Sequence, residues 1–385
     1  MHPHSSLRFA VAARFFAILA VLVALLAMPS MASAKMKPLD PANLPFLAGG
    51  DISLLTWEEQ HGTVYKDNGK PEDMLKIFKD HGCNFMRLRI WVNPSEKGIF
   101  VNDLPYTVAL GKRIKKAGLY LDIDFHYSDS WADPGKQIKP AAWRDLPFDE
   151  LVSTMQAYTR DVIAAMRKGG ALPDIVQIGN EITPGMLWPD GRDTQGGHDD
   201  FTNLATLLKA GIAGVKEGAG KDRQPLILIH IDRGGDWKGT KWFFDNINQQ
   251  GVPYDIIGLS YYPFFHGPLP NLKETLDNAA QTFHKPIIVV ETGYPFMSMG
   301  VKGPNSSALS YPLTVEGQRD FLKDLVSTIH QTPDGLGKGV LYWAPEWIPV
   351  KTAPGSWEGT TLFDNDGNAL PGLYELAGPP AQSKP

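Results

Sequence analysis

Short apolar runs recur along the chain, each followed by a loop and then by a stretch with apolar residues at helical spacing. The runs fall at 46–50, 85–92, 119–125, 175–178, 226–231, 256–260, 287–290 and 339–343. They are too short for helices and nearly bare of polar residues, the pattern of strands covered on both faces. Between them the spacing predicts helices over 70–81, 106–117, 148–168 and 201–217. The first has Pro71 near its start and Gly82 past its end; the second closes on Lys115, Lys116 and Gly118. Both follow the end preferences of helices. Strand–helix alternation repeated eight times predicts an α/β chain folded as a single-domain (β/α)8 TIM barrel. The rival is a doubly wound open sheet. It calls for a glycine-rich phosphate turn after the first strand, which Gly49-Gly50-Asp51 and the following Ile52-Ser53-Leu54-Leu55 do not supply.

The ends of the chain read differently. Arg8 and Arg14 flank an apolar run over 15–27, and Ala32-Ser33-Ala34 offers an A-x-A cleavage site. The run is about thirteen residues, short of the ~20 a spanning helix needs. Residues 1–34 are therefore expected to be a signal peptide and the mature protein to be secreted, outside the cell or in the periplasm, with no membrane association after cleavage. Residues 35–45 read as an N-terminal tether, 46–375 as the barrel and 376–385 as a tail. Cys83 is the only cysteine, so no internal disulfide supports the core, and its apolar neighbourhood marks a small buried residue. A net charge of −5 without a basic patch excludes a nucleic-acid partner. A monomer is expected.

In a barrel the chemistry sits where strands end. The fourth run ends Gln177-Ile178-Gly179-Asn180-Glu181 and the seventh ends Val289-Val290-Glu291. Two carboxyl groups facing one cleft are what glycoside hydrolysis needs: one protonates the leaving oxygen, the other attacks the anomeric carbon or activates water. Each could instead close a salt bridge at the barrel mouth. Arg87 and Arg89 alternate onto one side of the second strand, where the lumen suits them better than a helix layer; there an arginine holds a carboxylate ionised, or forms a purely structural pair. His126, in the polar and aromatic stretch after the third strand, could bind sugar hydroxyls, orient a carboxylate or be a buried satisfied histidine. Asp124 stands two residues away, but no further His or Cys lies close by, so no catalytic metal is expected. Ser260, Tyr261 and Tyr262 end the sixth strand, and Trp343 the eighth; a Tyr there tunes a carboxylate or packs the core, and a Trp there stacks on a sugar or fills the mouth. Asp364-Asn365-Asp366-Gly367-Asn368 starts like a calcium loop but lacks a Glu at position twelve, and a hairpin turn explains it better.

Several longer blocks narrow the reading. They are Gly50-Asp51-Ile52-Ser53, Arg87-Leu88-Arg89-Ile90-Trp91-Val92-Asn93-Pro94, the stretch from Asp124 through Trp131 to Pro134, Ile178-Gly179-Asn180-Glu181, Gly185-Met186-Leu187-Trp188-Pro189, Leu259-Ser260-Tyr261-Tyr262-Pro263-Phe264 and Val290-Glu291-Thr292. From about Gly49 to Leu373 the chain resembles glycoside hydrolase family 53, the arabinogalactan endo-β-1,4-galactanases. The resemblance implies an endo-acting retaining enzyme on β-1,4-galactan, the side chains of pectin, without a cofactor. It implies Glu181 as acid/base, Glu291 as nucleophile and Arg87 as the group that keeps Glu291 ionised. It implies Asn180 at the sugar 2-hydroxyl, and His126, Trp131, Ser260, Tyr262 and Trp343 around the same subsite. Two features depart from the relatives. The stretch 296–313 has no carboxylates, so the calcium site that many bacterial relatives carry after strand seven is not transferred; a lone cysteine excludes the fungal disulfide. Thr183-Pro184 is an unusual pair beside Glu181. The rivals are another endo-glycanase of the same clan, cutting mannan, xylan or β-glucan, and a glycan-binding barrel without catalysis.

Overall fold

The computed structural model describes residues 36–298, 303–304, 309–350 and 357–378; the leader expected at 1–34 lies outside them, as does most of the expected tail. Eight parallel strands close a barrel: β1 Leu47–Asp51, β2 Phe85–Ile90, β3 Tyr120–Phe125, β4 Ile175–Ile178, β5 Leu226–Ile231, β6 Ile256–Tyr261, β7 Ile287–Thr292 and β8 Gly337–Trp343. Each pairs with its chain neighbours, and β8 pairs with β1. The main crossover helices are α1 Met74–Asp80, α2 Leu104–Ala117, α3 Phe148–Lys168, α4 Thr202–Ala219, α5 Trp237–Gln249, α6 Leu269–Phe283 and α7 Val315–His330. The chain is thus the expected (β/α)8 barrel and not the open sheet.

Strand alternation sorts the core. In β2, Met86, Leu88 and Ile90 face the helices, while Phe85 joins the apolar floor of the barrel with Leu47, Ile175, Leu228, Ile288 and Leu341. Above that floor the inward positions turn polar: Arg87 and Arg89 on β2, Asp122 and Asp124 on β3, Gln177 on β4 and His230 on β5 are all buried. The floor excludes water from below, so the charges above it must be matched inside the barrel.

Three expectations need correction. The first helix begins at Met74, not Lys70: Lys70–Pro71 pairs with Lys66–Asp67 in a two-stranded ladder, and Asp73 caps α1 by accepting from the Leu75 and Lys76 amides. Residues 36–45 are docked instead of tethering: Leu39 and Leu44 pack under the barrel floor. Leu376 is likewise fully buried, so the packed chain runs past 375. Elsewhere the local signals act as read. Asp103 caps α2 through the Tyr106 amide, and Gly118 ends it with φ of 77°. The acidic 364–368 stretch is a turn: Asp364 accepts from the Asp366 and Asn368 amides, and Phe363 bridges Ala369.

Candidate active site

The strand ends open onto a cleft of about 600 Å³ bordered by Glu181, Tyr262, Glu291 and Trp343, together with Asp133, Pro134, Asp232, Arg233, Phe265, His266 and Trp357. That is the size range of small-ligand sites.

Glu291 reaches the cleft through a bulge. Along β7, Ile288 and Val290 face the floor of the lumen, so simple alternation would turn Glu291 outward. The register against β6 shifts between Leu259 and Ser260: Leu259 pairs with Val289, but Ser260 pairs with Glu291. Val290 is the extra residue, and the bulge brings Glu291 back inside. There its Oε1 accepts from Arg87 Nη2 at 2.5 Å and its Oε2 from the Tyr262 hydroxyl at 3.1 Å. Arg87 also donates from Nε to Asp51 Oδ2 at 2.8 Å and from Nη1 to Gln177 Oε1 at 3.3 Å. Burial pushes the Glu291 carboxyl above its ordinary value, and the Arg87 guanidinium opposes that push. At Asp51 burial also raises, but Arg87, Arg89 and Ser53 outweigh it and hold the group low. Burial beside both Glu residues keeps the Tyr262 hydroxyl protonated, hence a donor.

Glu181 has the opposite surroundings. It stands in a turn after β4 with φ of 47°, the left-handed region that side chains rarely adopt. Its Oε1 accepts from Ser260 Oγ at 2.6 Å; no cation touches it among the described residues. Burial first, then the charges of Glu291 and Asp232, push its carboxyl well above the ordinary range. Burial raises both carboxyl groups, but a cation opposes that rise at Glu291 and none touches Glu181 among the described residues, so their surroundings favour different protonation states.

The other expected residues divide. Trp343 is half-buried on the cleft wall, edge-on to Trp357 at 4.8 Å between centroids and 5.8 Å from Trp131. Trp131 in turn lies under the Arg89 guanidinium, 4.2 Å from the ring centre. His126, Asn180 and Ser260 stand behind the wall. His126 Nδ1 accepts from the Ala132 amide and its Nε2 lies 3.1 Å from Asp124 Oδ2. Asn180 donates from Nδ2 to the Ala132 carbonyl. Ser260 is fully buried, its hydroxyl between Glu181 and His230 Nε2. The end of the fifth apolar run, His230-Ile231-Asp232, is visible in the sequence without a role attached; Gln177 and the rim residues Arg233, Phe265 and Trp357 are not singled out there. Trp357 comes from a distant loop and carries no local signal.

Known proteins align with this geometry. Residues 47–376 match the family described as Glycosyl hydrolase family 53. An arabinogalactan endo-beta-1,4-galactanase of Thermothelomyces thermophilus is 37% identical over 338 residues, covering 84% of this chain and 97% of the relative. A solved structure from a study of two fungal beta-1,4-galactanases superposes with a TM-score of 0.78 at 36% identity, covering 88% of this chain and 100% of that one. The catalytic domain of an Ignisphaera aggregans GH53 protein superposes with a TM-score of 0.79 at 34% identity, covering 89% and 98%. Fold, match length and identity agree: the chain is a glycoside hydrolase and belongs to glycosyl hydrolase family 53.

Proposed function

We propose that the protein is a secreted endo-β-1,4-galactanase that cuts galactan side chains of pectin by a retaining double displacement, with Glu181 as acid/base and Glu291 as nucleophile. The supporting observation is the contrast between the two carboxyl groups. Glu291 is fixed by Arg87 and Tyr262, both donors, which favour its charged form. Among the described residues Glu181 meets a hydroxyl and like charges and no cation, which favours its neutral form. Glu291 attacks the anomeric carbon as Glu181 gives its proton to the departing glycosidic oxygen. A covalent galactosyl ester forms, and the shortened chain leaves. Glu181, now a carboxylate, takes a proton from water, whose oxygen attacks the same carbon and frees Glu291.

Trp343 supplies the flat surface on which a galactosyl ring packs, with Trp131 and Trp357 bracing it. Tyr262 reaches the reacting face, and Asn180 and His126 hold the wall behind it. The substrate assignment rests on the relatives' activity and on a cleft open enough for a chain. The test is a reducing-end assay of the protein lacking residues 1–34, on linear β-1,4-galactan beside mannan, xylan and cellulose, with the anomer of the first product read by NMR. Release from galactan alone, with a fast viscosity drop and a β product, is expected. Activity on another glycan alone refutes the substrate, and an initial α product refutes retention.

A further inference from the structure

Six buried groups join the two carboxyl groups beneath the cleft, and the chemistry of one of them fixes the direction of every link. Arginine can only donate. Arg87 Nη1 meets Gln177, so the Gln177 oxygen must face it, at 3.3 Å, and the Gln177 amide nitrogen must face the other way. That nitrogen lies 2.6 Å from Asp124 Oδ1, an acceptor, and 3.0 Å from His230 Nδ1. The Glu181 backbone N–H also points at His230 Nδ1, at 3.4 Å. Two donors converging on Nδ1 make it the unprotonated nitrogen of the ring. Asn180 Oδ1, 3.1 Å from Nδ1, shares the Gln177 amide at 3.3 Å. The ring proton therefore sits on Nε2, which donates to Ser260 Oγ at 2.8 Å. With its lone pair used, Ser260 turns its own hydrogen to Glu181 Oε1 at 2.6 Å. Burial, with Arg87 and His126 nearby, holds His230 far below its ordinary value, in keeping with a neutral ring.

We infer that His230 is a positioning residue for the acid/base carboxyl: acting through Ser260, it commits Glu181 Oε1 to accepting, so that the acid's proton is carried on Oε2 toward the cleft. The inference rests on Glu181 being the acid/base. In the opposite ring tautomer Ser260 would donate to His230, and Glu181 would place its proton on Oε1 against Ser260, away from any leaving oxygen. The Glu181 backbone N–H, fixed in direction and aimed at Nδ1, opposes this tautomer, and the Gln177 amide beside Nδ1 adds a second donor. The same chain starts at the guanidinium that pairs with Glu291, so the charge state on one side of the cleft and the proton geometry on the other share one scaffold.

The test separates proton delivery from mere support of the fold. Galactan has a poor leaving group and needs the acid; an aryl β-galactobioside with a dinitrophenolate leaving group does not. Glu181→Ala is the reference. It should lose roughly 100-fold or more in kcat on galactan, within the usual range for general acid catalysis, while keeping the burst of dinitrophenolate, with azide restoring the slow second step. His230→Asn should copy this pattern in part: kcat on galactan about tenfold or more lower, KM little changed, and the burst rate within about threefold of the parent. Ser260→Ala should match His230→Asn, and Ser260→Thr, which keeps the hydroxyl, should recover most of the loss. An equal fall on both substrates, or no fall on galactan, overturns the positioning role. Should His230→Asn fail to fold, Ser260→Ala decides alone by the same two readings. If Glu181→Ala itself fails to separate the two substrates, the assignment of the acid falls instead.

Discussion

Replacing Asp122 with Asn should stabilise the protein, and by an amount that depends on pH. Asp122 is fully buried on β3, inside the barrel, and neither carboxyl oxygen meets a well-aligned donor among the described residues. Burial, only partly opposed by Arg87 and reinforced by the Asp124 and Asp51 charges, pushes its carboxyl up to about 8 from 3.8. The folded protein thus holds this proton far more tightly than the unfolded chain does. The associated stability is fully present below about 3.8 and is lost as pH rises, until the folded carboxyl itself ionises near 8. From 3.8 to pH 7 lie about three units, each about 1.36 kcal/mol, so the native side chain costs up to ~4 kcal/mol at neutral pH. Asn has the same shape and no proton to lose, and it gives up no hydrogen bond that Asp makes. Urea unfolding of Asp122→Asn beside the parent should show a gain of roughly 2–4 kcal/mol at pH 7 that shrinks toward zero near pH 3.5. A variant no more stable at pH 7, or a gap that does not close on acidification, refutes the reasoning. It would mean that Asp122 is charged in the fold and serves as a partner of Arg87.

Other perturbations read the site directly. Arg87→Met removes the donor to Glu291 and Asp51 at once; kcat/KM on galactan should fall by about three orders of magnitude, or ~4 kcal/mol, with ~3–5 kcal/mol lost in urea unfolding as two buried carboxylates lose their cation. Because the Glu291 charge helps push Glu181 up, Glu291→Gln should bring the Glu181 carboxyl down, readable by ¹³C NMR with labelled Glu; an unmoved titration would show that the two groups do not sense each other. Trp343→Ala should raise KM on galactan by about tenfold or more while sparing the fold, checked by kinetics beside thermal unfolding. On α4, a Cβ at Gly214 would meet the Gln156 carbonyl of α3 at 2.5 Å, so Gly214→Ala should destabilise by roughly 1 kcal/mol or more despite the better helix propensity of Ala.

The barrel was legible because its strands carry their burial in their composition. Runs such as 175–178 and 226–231 coincide with β4 and β5; elsewhere the limits slip, at polar ends such as Thr292 and Tyr261 and where the apolar run 85–92 overruns β2 at Trp91 and Val92. Glu181 and Glu291 stood out because a carboxyl where an apolar run stops is conspicuous. What stayed hidden depends on contacts between strands. The bulge at Val290 that turns Glu291 inward is a feature of pairing with β6, and no local pattern announces it. Gln177 and His230 look like single polar residues in two apolar runs; only the pairing of β4 with β5 sets their side chains 3.0 Å apart. The docked segment at 36–45 was misjudged because its Pro and polar residues mask the two leucines that meet the floor. Pro71 misled for a related reason: it looks like a helix start, but the ladder at Lys66–Asp67 takes it first.

The lumen also explains why one of two neighbouring carboxyl groups should keep its proton. Among the described residues only two guanidiniums, those of Arg87 and Arg89, are buried in the polar layer above the floor. Arg87 contacts Asp51 and Glu291, and Arg89 lies 3.6 Å from Asp51 while its ring contact with Trp131 fills its other face. Asp124 is met by the Gln177 amide and the His126 ring instead. Among the described residues no buried cation contacts Asp122 or Glu181, and a carboxyl withdrawn from water without a cation is neutral before it is charged. Asp122 bears that state deep in the barrel, where it has no task in the reaction. Glu181 bears it at the cleft, where, on the assignment proposed above, a protonated carboxyl serves as the acid. On the proposed assignment, supplying a further buried cation near Glu181 would therefore remove the acid while leaving Glu291 and its Arg87 and Tyr262 partners in place. Ser260→Lys is such a change, and it should lose galactan hydrolysis while the fluoride of an activated galactosyl fluoride is still released in a single turnover.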